Sequence, residues 1–158
     1  MVNRPVFLLA TIIMLLFFLV SHYDAFFFPL HFLQSAIYLL ILLLLFYGQD
    51  DWAYVMGVMA PLFWVVLTLV TGILSGGINA LGRLLTFQSI TSPVDMVTGL
   101  ILLFALGLIG ASAWAFLREV WGRPRALRTV LWSLVLVWVY YAVLIAVLFH
   151  MARPATET

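Results

Sequence analysis

Five long apolar runs, separated by short polar segments, dominate the pattern of this chain. They extend over Pro5–Ser21, Phe27–Tyr47, Trp52–Ser75, Val94–Leu117 and Leu127–Met151. A transmembrane α-helix needs about 20 apolar residues, and no Asp, Glu, Lys or Arg lies in a run beyond its first turn. The pattern therefore predicts an all-α integral membrane protein, in which residues 1–158 form one domain, a bundle of five transmembrane helices.

The start of the fourth run and the end of its helix carry clear signals. Ser92 precedes Pro93 and Asp95, an order that suits a helix N-cap, a proline in the first helical turn and an acid near the positive helix end. Gly122 and Pro124 interrupt the chain before the fifth run. Because both residues disfavour a continuing helix, the fourth and fifth runs are expected to be separate helices.

The segment between the third and fourth runs has a different pattern. In Gly76–Thr91, Ile78, Leu81, Leu84 and Leu85 recur at helical spacing, with polar residues between them. This pattern is typical of a short amphipathic helix that lies in the membrane interface. The alternative is a loop packed over the bundle.

Composition supports lipid as the surroundings of this chain. Of 158 residues, 66% are hydrophobic and 8% are charged, and the mean hydropathy is +1.23. A soluble domain carries about 25% charged residues. The net charge of +1 provides no broad basic surface, so nucleic acid is not an expected partner.

The arginines indicate how the chain is oriented across the membrane. Four of them lie between the fourth and fifth runs or in the first turn of the fifth, at Arg118, Arg123, Arg125 and Arg128. The positive-inside rule places this short loop in the cytoplasm. A multi-pass protein with a cytoplasmic N-terminus, and with Arg153 and Thr158 on the outer side, is therefore expected.

All three histidines are expected on the outer side, where they could form a metal site. His22, Asp24, His31 and His150 together would offer three imidazoles and a carboxylate, a donor set that suits zinc or copper. Imidazole also ligates haem iron. The alternative is that His22 and His150 are interfacial residues that water reaches, while His31 lies deeper.

One face of the second predicted helix is polar. Gln34, Ser35 and Tyr38 follow His31 at helical spacing. Polar groups in hydrocarbon need partners, so this face is expected to contact protein. It either forms interhelical hydrogen bonds or contacts a cofactor.

Aromatic residues near mid-membrane depth offer a second candidate surface. Trp and Tyr usually gather at the two membrane interfaces, whereas Tyr38, Trp64, Trp138, Tyr140 and Tyr141 fall near the centre of their runs. A quinone, a tetrapyrrole such as chlorophyll, or a lipid chain could pack against them, and so could a neighbouring helix. His31, Gln34, Tyr38 and Trp138 form the candidate cofactor-binding set.

The chain has few features that indicate catalysis. It contains no Cys, and no nucleophile, phosphate-binding or metalloprotease motif occurs. Small residues on apolar runs permit close contact with other helices, and we assign Gly72, Gly76, Gly99 and Gly107 to contacts with partner subunits.

Three functions remain open. The leading hypothesis is a small non-catalytic subunit of a larger membrane complex, such as a respiratory, photosynthetic or other oxidoreductase assembly in electron transport, where it supports packing and binds lipid or a cofactor. The first alternative is a free-standing metal- or haem-binding membrane protein or enzyme that uses His22, Asp24, His31 and His150. The second is a carrier of lipid or another small molecule.

Overall fold

The chain is helical throughout the part that the structure describes. The structure, a computed structural model, covers residues 3–24, 26–89 and 92–152, and no strand occurs among these residues. The helices are α1 (Arg4–Tyr23), α2 (Phe28–Phe46), α3 (Asp50–Val70), α4 (Ile73–Leu85), α5 (Pro93–Glu119) and α6 (Ala126–Ala152). All except α4 are long and apolar enough to cross a membrane. The predictions of an all-helical chain and of five membrane-length helices are confirmed.

Local capping explains where α5 begins. The Ser92 hydroxyl accepts a hydrogen bond from the backbone N–H of Asp95 at 3.2 Å, and Pro93 is the first helical residue. The hydroxyl satisfies one of the backbone donors that a helix start leaves unpaired. Ser92 therefore caps the helix, as its sequence context predicts.

The boundary between α3 and α4 differs from the prediction. The third apolar run continues to Ser75, but α3 ends at Val70 because Gly72 adopts a left-handed conformation with φ of 77°. Only glycine enters this region without a steric cost. The short helix predicted from Gly76 exists, but it begins at Ile73. Ile90 and Thr91, the last residues of the predicted segment, lie outside the described residues.

Helix α4 contacts α5 through its small residues. A Cβ atom on Gly99 would lie 2.6 Å from the carbonyl oxygen of Gly77, so the two backbones touch. Leu74, Gly77 and Ala80 are buried on this side. Gly99 is therefore occupied by a contact within the chain, and its assignment to a partner subunit is corrected.

Three large apolar residues of α4 lie on its exposed side. Ile78, Leu84 and Leu85 are 52%, 44% and 80% exposed, respectively. The fourth residue of the predicted stripe, Leu81, packs against Gly99 of α5 instead. The exposed side remains available to lipid, as an interfacial helix requires.

Aromatic contacts join the centre of the bundle. The Phe17 ring stacks on Tyr38 at 5.6 Å and meets the edge of Trp64 at 5.9 Å. These contacts connect α1, α2 and α3. Helix α6 packs mainly on α3, where the Tyr141 hydroxyl donates to the carbonyl oxygen of Ala60 at 2.8 Å.

The two ends of the bundle have different polar groups. At one end, here called the Arg123 end, Arg123 pairs with Asp51 at 3.0 Å, and Tyr54 donates to Glu119 at 2.9 Å. At the other end, here called the His31 end, α1, α3 and α6 finish and α2 and α5 begin. The five long helices therefore alternate in direction.

Candidate ligand-binding cavity

A cavity of about 460 Å³ lies at the His31 end of the bundle. All six helices contribute to its wall, which is mostly apolar; the apolar lining residues include Phe17, Val20, Leu30, Trp64, Leu67, Ile101, Leu144 and Leu148. Small-molecule sites in proteins are commonly concave and apolar, with volumes of about 300–1,000 Å³. The size and wall of this cavity match such a site.

Two aromatic residues line the cavity toward the bundle core. Phe17 is 2% exposed and Trp64 is 3% exposed, and both belong to the cavity lining. Tyr38 lies behind Phe17, stacked on its ring. The packing between these helices holds the rings in place, so they offer rigid apolar surfaces to a ligand.

Polar groups from the α1–α2 connection and from α2 form one side of the cavity. The Asp24 carboxylate accepts a hydrogen bond from the backbone N–H of Phe27 at 3.3 Å, which fixes it near the start of α2. His31 Nδ1 lies 3.2 Å from Gln34 Oε1, and His31 Nε2 lies 3.6 Å from Asp24 Oδ2. The second distance exceeds that of a hydrogen bond.

Gln34 and His31 keep hydrogen-bonding capacity toward the cavity. Gln34 is 7% exposed, and its contact with His31 is its only side-chain hydrogen bond among the described residues. Within residues 3–24, 26–89 and 92–152, His31 Nε2 is a buried atom with no hydrogen-bond partner. A buried polar group without a partner costs about 1–3 kcal/mol, so a ligand that pairs with these groups is favoured.

Asp95 contributes a second carboxylate to the cavity lining. It lies in the first turn of α5, where the positive helix end favours an acid. A Cβ atom on Gly76 would lie 2.6 Å from Asp95 Oδ1, so the missing side chain of Gly76 gives the carboxylate its space. No lining residue in the described part of the chain is Arg or Lys.

The candidate cofactor set is only partly assembled here. His31 and Gln34 line the cavity, whereas Tyr38 is fully buried behind Phe17. Trp138 is 61% exposed and does not line the cavity. Trp138 belongs to the predicted set because of its depth in the apolar run. In the structure, the rotation of α6 about its axis turns the Trp138 side chain away from the bundle. Trp138 is therefore removed from the candidate site.

The candidate metal set is divided as well. Of its four residues, only Asp24 and His31 form a contact. The His22 ring lies against Tyr23 and borders a separate groove with Phe26 and Pro29, and His150 is exposed near the end of α6. Among the described residues, no three His, Asp or Glu side chains are close enough to hold a metal ion. The four residues do not form one coordination site.

The sequence reasoning missed Asp95 and Gly76 as parts of this site. Its sequence context predicts only that Asp95 is a favourable acid at a helix start. Gly76 is predicted only to contact partner subunits. One signal was available, because Asp95 is the only Asp, Glu, Lys or Arg within the fourth apolar run. Its place in the same cavity lining as Asp24 depends on long-range packing and has no signature in local spacing.

No protein-family model matches this sequence, and no curated protein or solved structure matches it either. The function is therefore inferred from the cavity and its residues.

Proposed function

We propose that this protein binds an amphipathic small molecule in the cavity at the His31 end. The apolar part of the ligand packs against Phe17 and Trp64, and its polar group lies beside Asp24, His31 and Gln34. The observation that carries this proposal is the coexistence of a mostly apolar wall with the polar side chains of Asp24, His31 and Gln34 in a cavity of about 460 Å³. Such a division matches the two parts of an amphipathic molecule.

The orientation of the chain adds a route of entry to the proposal. Arg118, Arg123, Arg125 and Arg128 favour a cytoplasmic location for the Arg123 end. The cavity then lies within the outer half of the membrane. A ligand that is dissolved in the outer leaflet, or that arrives from outside the cell, would reach it from there.

This proposal is closest to the small-molecule carrier among the three functions that the sequence leaves open. It also agrees with a non-catalytic subunit whose role includes binding a lipid or a cofactor such as a quinone. The wider role within an electron-transport complex rests on the sequence alone and stays a hypothesis.

A cavity-filling variant tests the proposed binding. Leu148 lines the cavity, whereas the neighbouring Phe149 is 68% exposed and does not. Leu148→Trp should fill part of the cavity and displace the ligand, and Phe149→Trp is the matched control with the same new side chain. Each protein would be purified from its membrane in mild detergent and analysed by native mass spectrometry for bound small molecules.

We expect a bound molecule on the wild type and on Phe149→Trp, and loss of this molecule from Leu148→Trp. Thermal unfolding of the three proteins checks that Leu148→Trp remains folded. Equal retention by both variants would place the bound molecule elsewhere and contradict the proposal.

A further inference from the structure

We infer that the molecule held in this cavity is a hydrophobic cation, an apolar body with a protonated amine group that the carboxylates of Asp24 and Asp95 attract. This inference rests on the proposed function and adds the charge of the ligand to it. Three features of the cavity support it: the sum of its charges, the hydrogen-bonding state of His31, and its aromatic residues.

The charges of the lining favour a cation. Asp24 and Asp95 contribute two carboxylates, and none of the described lining residues is Arg or Lys. In the described part of the chain the Asp95 carboxylate has no hydrogen bond or ion pair. Both carboxylates are partly exposed, and a nearby charge of opposite sign attracts them at short range. A cationic ligand would supply that charge, whereas an anionic ligand would meet repulsion.

In its neutral form, His31 favours a hydrogen-bond donor between itself and Asp24. With Gln34 Oε1 facing Nδ1 at 3.2 Å, a neutral imidazole carries its hydrogen on Nδ1, because the amide oxygen can only accept. Nε2 is then an acceptor, and it faces the acceptor Oδ2 of Asp24 at 3.6 Å. An ammonium N–H located between these atoms can donate to one or both.

Protonation of His31 does not remove the negative charge of the cavity. An imidazolium would compensate Asp24, and Asp95 would still lack a counter-charge among the described lining residues. The lining therefore favours a cation in either state of His31.

The aromatic part of the lining also suits a cation. Phe17, Phe27 and Trp64 contribute to the cavity. Aromatic faces attract ammonium groups, and this attraction strengthens when the cation is desolvated. The same rings accept an alkyl or aryl body, so one set of residues serves both parts of a hydrophobic cation.

The experiment compares three probes that share one alkyl chain. Decylammonium is the cation, decanol the neutral analogue and decyl sulfate the anion. Binding to the full-length protein in dodecyl maltoside micelles would be measured by isothermal titration for the wild type, Asp24→Asn and Asp95→Asn. Asp51→Asn is the control, because Asp51 is an acid at the Arg123 end of the bundle.

We expect the wild type to bind decylammonium at least roughly tenfold more tightly than decanol, as a charge-assisted contact would give, and decyl sulfate most weakly. Asp24→Asn and Asp95→Asn should each lose most of the preference for the cation over decanol. The midpoint of thermal unfolding checks that both variants are folded. Asp51→Asn should behave like the wild type.

Two other outcomes distinguish the inference from the proposed function. If decanol and the cation bind equally, and Leu148→Trp abolishes both, the cavity is a ligand site but the cationic preference is wrong. If no probe binds the wild type, or if binding is insensitive to Leu148→Trp, the cavity is not the site and both proposals fail.

Discussion

At the scale of single residues, three histidines of one chain have three different environments. His31 lines the cavity with a buried Nε2 atom. His22 borders a shallow groove beside Tyr23, and His150 is exposed near the end of α6. Burial of a polar atom demands a partner, whereas exposure does not. His31 is therefore the histidine for which a ligand contact has the clearest physical reason.

Replacing His31 should weaken ligand binding, and replacing His22 should not. His31→Ala removes the acceptor Nε2 and the partner of Gln34, a change that should cost about 1 kcal/mol or more in binding free energy. Affinity for decylammonium, measured by titration, should fall several-fold for His31→Ala and stay unchanged for His22→Ala. Equal affinities of the two variants would contradict the role assigned to His31.

Local spacing predicts part of the site and misses the rest. His31 and Gln34 are three residues apart on one helix, so their shared face and the need for polar partners can be read from the sequence. Asp95 approaches Gly76 only because α4 folds back onto the start of α5. Trp138 has the expected depth but the wrong rotation. Distances between helices and rotations about their axes depend on packing, which spacing within one helix does not encode.

At the scale of the helices, close packing of α4 on α5 shapes the Asp95 side of the cavity. The contact is between backbones at Gly77 and Gly99. It places Gly76 against Asp95 and contributes Ile73 and Ser75 to the cavity lining. The sequence predicts the amphipathic character of α4 but not its start, because a glycine can either continue a membrane helix or end it. Gly72 ends α3, whereas Gly99 lies inside α5.

A methyl group at Gly99 should separate α4 from α5. Gly99→Ala would place Cβ 2.6 Å from the Gly77 carbonyl oxygen and 2.8 Å from Leu81 Cγ, and such overpacking typically costs about 1–3 kcal/mol. Gly110→Ala is the matched control, since it adds the same group to the same helix with no atom within 4 Å. The midpoint of thermal unfolding in detergent should fall for Gly99→Ala and stay level or rise for Gly110→Ala. Equal midpoints would show that the two helices do not pack as described.

At the scale of the whole molecule, an odd number of alternating membrane-length helices places the start of α1 and the end of α6 at opposite ends of the bundle. Five such helices alternate in direction, and the alternation brings the ends of α1, α3 and α6 to the same cavity as the starts of α2 and α5. Run length and hydropathy predict the number of helices, because lipid demands long apolar segments with internally paired backbones. Orientation is a separate expectation that rests on the arginines.

Reporter fusions test this orientation. A cytoplasmic reporter fused after Gly122 should be active, because the neighbouring arginines favour the cytoplasm. The same reporter fused after Thr158, which lies outside the described residues, should be inactive. A reporter that is active only outside the cytoplasm should give the reverse pattern. Two fusions on the same side of the membrane would contradict the five-helix topology.

Photo-crosslinking tests directly whether the cavity at the His31 end binds an amphipathic molecule. A decyl ammonium probe with a diazirine on its alkyl chain would be irradiated with the protein in native membranes, and the modified residues identified by mass spectrometry. We expect the probe to modify cavity residues such as Thr68 and Leu144 in the wild type. This modification should be lost in Leu148→Trp. Modification confined to lipid-exposed residues such as Trp132 and Trp138, unaffected by Leu148→Trp, would contradict this expectation.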